Sequence, residues 1–62
     1  MYNYLFVVIT RGSELEGEEF FVQAKNYEEA KEIVKMYFSG EVCTCYGRYS
    51  DEEAEEMGID TY

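Results

Sequence analysis

The pattern of apolar and polar positions divides the chain into five segments, and residues 26–40, NYEEAKEIVKMYFSG, carry the clearest signal. Tyr27, Ala30, Ile33, Val34, Tyr37 and Phe38 recur at helical spacing along one face. Asn26 is placed to cap the first turn, with Glu29 reaching back in a capping-box-like pair. Gly40 can supply the left-handed residue that ends the helix. Residues 2–10 are apolar or aromatic on both alternating sides: Tyr2, Tyr4, Phe6 and Val8 on one, Leu5, Val7 and Ile9 on the other. A strand of that kind is central in its sheet. Residues 11–18, RGSELEGE, read as a hairpin loop. Residues 19–24 predict a second strand, with Phe20, Val22 and Ala24 on the side opposite Phe21 and Gln23.

Residues 41–49 predict a third strand, in which Cys43, Cys45 and Tyr49 oppose Val42, Thr44, Tyr46 and Arg48. Residues 50–57, SDEEAEEM, predict a short acidic helix opened by a capping box of Ser50 and Glu53 and stopped by Gly58. The order ββαβα is that of an α+β fold. A hairpin followed by a right-handed crossover helix puts the third strand beside the first. The expected sheet is therefore antiparallel, in the order 2-1-3, with the main helix packed on one face. That helix is expected to cover Leu5, Val7 and Ile9 together with Phe20, Val22 and the two cysteines. The other face would then display Tyr4, Phe6, Val8, Phe21, Val42, Thr44 and Tyr46, an aromatic patch of the size that marks interfaces. Two outcomes stand open for it. Either the short helix and the tail fold across it, with Ala54, Met57, Ile59 and Tyr62 pointing in, or it meets a second copy or another protein.

Composition narrows the function. The 62 residues make one domain, 1–62, and 47% of them are hydrophobic, which suits a folded chain rather than a disordered one. Fourteen Asp and Glu against five Lys and Arg give a net charge of -9. Such a surface repels phosphate backbones and anionic membranes and attracts basic proteins. An aromatic sheet can stack single-stranded RNA, but only Arg48 lies near this one, so direct nucleic-acid binding is not expected. No stretch has the roughly 18 apolar residues of a membrane span. The N-terminus lacks the basic region of a signal peptide, so a cytoplasmic protein with reduced thiols is expected.

The candidate chemistry lies in two acidic clusters. Asp51, Glu52, Glu53, Glu55 and Glu56 crowd the short helix, and Glu14, Glu16, Glu18 and Glu19 crowd the hairpin loop. They read as a solvated face or as a negative surface presented to a basic partner, with Asp51, Glu52, Glu55 and Glu56 facing its groove and Glu14, Glu16 and Glu18 as a second contact. The acids lack the spacing of a calcium loop. Two cysteines and no histidine are too few for a zinc site within one subunit, and a disulfide between residues two apart on a strand would be strained. Cys43 and Cys45 thus read as small buried hydrophobes. Nothing matches a phosphate loop or a nucleophile with its base, so neither enzyme activity nor a cofactor or metal is expected.

The short acidic chain, the ββαβα order and the DEEAEEMGID tail resemble small proteins of phages and mobile elements, anti-CRISPR and DNA-mimic proteins among them. The resemblance is one of size, charge and layout over the whole chain, and it carries no functional residues across. It implies an inhibitor of a nucleic-acid-handling protein in the cytoplasm of a host cell. An adaptor that assembles through the aromatic sheet face, as a homodimer or with a partner, is the other expectation.

Overall fold

A computed structural model describes all 62 residues, in the order β1 (Tyr2–Val8), β2 (Glu19–Ala24), α1 (Tyr27–Tyr37), β3 (Cys43–Tyr49) and α2 (Asp51–Met57). The strands form one antiparallel sheet in the order β2-β1-β3, as the crossover rule requires. No helix is long and apolar enough to cross a membrane.

Both helices begin where their capping residues stand. The Asn26 side chain accepts from the Glu29 amide at 2.8 Å, and the Glu29 carboxylate reaches back to the Lys25 amide at 3.2 Å, one residue beyond the expected partner. In α2 both bonds of the capping box form, Glu53 N to Ser50 Oγ at 3.2 Å and Ser50 N to Glu53 Oε1 at 3.1 Å. The end of α1 departs from expectation. Phe38 closes the helix, its amide bonding the Val34 carbonyl at 2.8 Å, and Gly40 takes its positive φ two residues later, in the turn toward β3.

The main correction concerns β1. Tyr4, Phe6 and Val8 face α1 and form the core with Phe20, Val22, Ala24, Ala30 and Val34, while Ile33, Phe38, Cys43 and Cys45 pack around it. Tyr4, Phe6 and Val8 are therefore buried under the main helix rather than displayed on an open face. Leu5 and Val7, expected under that helix, lie on the other side, and Ile9 is exposed beyond the strand. The register decides this: Tyr4 pairs with Val22 and Phe6 with Phe20, so the even positions of both strands share a face. Because both sides of β1 are apolar, alternation alone cannot orient it, and a one-residue slip exchanges its faces. Phe6 then stacks with Phe20 at 5.9 Å and with Tyr27 at 6.5 Å.

The second face is not open either. After β3 the chain turns through α2, and the tail runs to the outer edge of β2. There the Phe21 amide donates to the Asp60 carbonyl at 2.8 Å and the Tyr62 amide to the Phe21 carbonyl at 2.7 Å. Phe21 is completely buried, edge-on to Tyr49 at 5.9 Å. Ala54 and Ile59 are half-buried and line a cleft with Asn3 and Gln23. Met57 remains exposed. Tyr62 turns round the β2 edge to the α1 side, against Phe20, Tyr37 and Phe38. Tyr46 does stay exposed. It is the extra residue of a bulge between the Leu5–Gly47 and Phe6–Cys45 pairs, where Gly47 takes φ 153°.

Candidate functional site

The acidic residues separate into those the fold uses and those it leaves free. In α2, Glu53 is held in the capping box, and Asp51 accepts from Asn3 Nδ2 at 2.8 Å. Asp51 therefore anchors the helix to β1 instead of projecting freely. The carboxylates of Glu52, Glu55 and Glu56 are exposed and line one shallow concavity on the outer side of α2. In the hairpin loop, Glu16 accepts from the Gly12 amide at 3.2 Å and braces the turn, whereas Glu14 and Glu18 are exposed.

The tail adds an acid to the loop cluster. By docking on the β2 edge it brings Asp60 into one surface hollow with Glu18 and Glu19, beside Leu15, Phe20 and Tyr62. The free carboxylates thus gather in two separate hollows, Glu52, Glu55 and Glu56 on α2 and Glu18, Glu19 and Asp60 at the start of β2, together termed the acidic band. Of the expected site residues, Glu52, Glu55, Glu56 and Glu18 belong to it. Asp51 and Glu16 are engaged in structure, and Glu14 lies farther out in the loop. Asp60 joins the band only because the tail adds to the sheet edge, a placement that its neighbours in sequence do not signal.

Three of the five basic residues lie elsewhere. Lys31 and Lys35 line a groove between α1 and β3 with Phe6, Val34 and Cys43, and the Arg48 guanidinium sits 4.2 Å from the centre of the Tyr2 ring. Lys31 and Lys35 are interspersed with acids there, with Glu28, Glu29 and Glu32 on the same helix and Glu41 lining the same groove.

Asn3 is the residue that sequence reasoning passed over. It is 3% exposed, in the middle of an aromatic strand, and every polar atom of its side chain is matched. Its amide nitrogen donates to the Tyr49 carbonyl at 3.3 Å and to Asp51, and its oxygen accepts from Gln23 Nε2 at 3.2 Å. One side chain thus ties β2, β3 and α2 to β1. A lone polar residue in an apolar strand is the signal that marked it.

The thiols of Cys43 and Cys45 share the α1-facing side of β3, half-buried, and no disulfide joins them. Burial, and then the nearby Glu41 carboxylate, push the Cys43 thiol above its ordinary value. A thiol held protonated in this way is a poor nucleophile. No group of three or more metal-ligating side chains is assembled. Comparison with protein-family models, with curated proteins and with solved structures gives no match to this chain.

Proposed function

We propose that this chain is a non-catalytic acidic protein that binds a basic nucleic-acid-handling protein and blocks its nucleic-acid groove, in the manner of anti-CRISPR and DNA-mimic inhibitors. Glu52, Glu55, Glu56, Asp60, Glu18 and Glu19 make the contact, Asp51 positions α2, and no cofactor takes part.

The observation that carries the reading is that α2 holds charge where it costs stability. Acids in the first turn of a helix are favourable, but α2 has no basic residue in its last turn, and Glu55 and Glu56 stand there instead. Glu52 also faces Glu55 and Glu56 at spacings of three and four residues, where like charges repel. Solubility would be served as well by acids placed anywhere on the surface. A negative row held at a helix end against its own dipole suits a partner that supplies the missing cations.

The test is retention of host proteins by the native chain beside a variant with Glu52, Glu55 and Glu56 changed to Lys. Asp51 is left intact to keep its bond to Asn3. The reading expects a basic nuclease, polymerase or regulator held by the native chain alone, released by salt and displaced by duplex DNA. Equal retention by both forms, or a partner indifferent to DNA, would refute it.

A further inference from the structure

The outer edge of β2 takes a strand in this structure and is only partly filled by it. The Val8 amide donates to the Glu18 carbonyl at 3.0 Å, and the register continues through Phe6–Phe20 and Tyr4–Val22, so the even-numbered residues of β2 turn their main-chain groups toward β1. Alternation points those of Glu19, Phe21 and Gln23 away from the sheet. The tail bonds the middle one alone. Phe21 donates to Asp60 and accepts from Tyr62, the pattern of a parallel ladder centred on Thr61. The outward amides and carbonyls of Glu19 and Gln23 make no bond to it. The chain leaves α2 only at Gly58, so it runs beside β2 for three residues. The side chains fit as incompletely. Tyr62 packs edge-on to Phe20 at 5.6 Å and to Phe38 at 5.5 Å, yet it is 52% exposed. Asp60 enters a hollow that already holds Glu18 and Glu19, and no Lys or Arg lines it. The tail brings a fitting ring and the wrong charge.

We propose that the outer β2 edge is the seat for an extended basic segment of a protein partner, which displaces the tail and adds parallel to β2. The segment carries Lys or Arg where Asp60 stands, a small residue in place of Thr61 and an aromatic ring in place of Tyr62. Its cation meets Glu18 and Glu19, exchanging repulsion for attraction in the same hollow. Its ring takes the place against Phe20 and Phe38. A run longer than three residues also reaches the free groups of Glu19 and Gln23. Main-chain bonds give an added strand its affinity, and alternate side chains give it specificity. The basic character of the partner rests on the inhibitor reading, whereas the seat is defined by the tail's own pairing.

Fluorescence polarisation with two labelled peptides tests this. One repeats residues 57–62 followed by two threonines, and the other differs only by Asp60→Lys. Each is titrated with the native full chain and with its Tyr62→Pro variant, which removes both the ring and the amide that hold the tail. The Lys peptide should bind Tyr62→Pro ~10-fold tighter than the Asp peptide does, and less tightly as salt rises. It should bind the native chain several-fold more weakly, because the tail competes for the seat. Glu18→Gln with Glu19→Gln should abolish the preference for Lys. In the native chain, saturation with the Lys peptide frees the tail, read as faster exchange of the Tyr62 amide. That exchange decides alone should Tyr62→Pro fail to fold by circular dichroism. Equal binding of both peptides (the mark of a seat made for the tail of a second copy) would overturn the proposal. So would no binding of either, a native chain that binds as tightly as Tyr62→Pro, or a preference that survives the loss of both carboxylates. Glu52, Glu55 and Glu56 stay intact in every sample, so such a failure leaves the inhibitor reading to its own test on host proteins.

Discussion

Asn3 shows how one side chain can set the position of a functional element. Its amide spans the Tyr49 carbonyl, the Asp51 carboxylate and Gln23; Asn3 itself is buried, while Asp51 and Gln23 are exposed. Losing such a set of hydrogen bonds costs about 0.5–1.5 kcal/mol, since water can reach the exposed partners left behind. Asn3→Ala is therefore expected to lower stability by that amount in urea unfolding. It should also loosen α2 before the rest of the chain, visible as faster amide exchange over residues 51–57. At Cys43 the direction is set by burial. Its thiol is raised in the folded chain, so folding favours the protonated form. That contribution is complete below the ordinary thiol value and is lost as pH rises through the folded one. Stability should accordingly decline from about pH 9 upward, and less steeply in Cys43→Ala.

Among the elements, α2 is the one under internal conflict. Its N-terminus is well made, with a full capping box and three acids in the first turn. Its C-terminus opposes the dipole with Glu55 and Glu56, although Gly58 closes it in the left-handed conformation at φ 66°. Glu55→Gln with Glu56→Gln should raise stability by a few tenths to about 1 kcal/mol, most at low salt, as these exposed charges are screened. The same pair of changes should weaken partner binding. A rise in stability with no loss of binding would leave the acids as a solvated face. α1 differs, since its charged residues fit its dipole, with Glu28 and Glu29 in the first turn and Lys35 in the last.

At the scale of the whole molecule, each face of the sheet is covered by an element of different kind. α1 seals the side of Tyr4, Phe6 and Val8 with aliphatic and aromatic packing. The other side is closed by a seven-residue helix tied through polar contacts and by a tail held through two main-chain bonds. A chain of this length buries too little surface to spare much of either.

The sequence by itself determined the elements and their order, because each rests on local physics. Helical spacing and two capping residues located α1 and α2. A strand apolar on both sides placed β1 at the centre, and crossover handedness then set the order β2-β1-β3. It determined the net charge and the acidic clusters as well. Which face of β1 meets α1 was decided only in three dimensions. Tyr4, Phe6 and Val8 are as apolar as Leu5 and Val7, and the ten residues between β1 and β2 do not fix a register. The same holds for the functional surface. Asp51 and Glu16 look free in the sequence yet are engaged by Asn3 and Gly12. Asp60 joins Glu18 and Glu19 only through the docking of the tail. Hydrogen bonds between residues nearly fifty positions apart, such as Asn3 to Asp51, leave no local pattern to read.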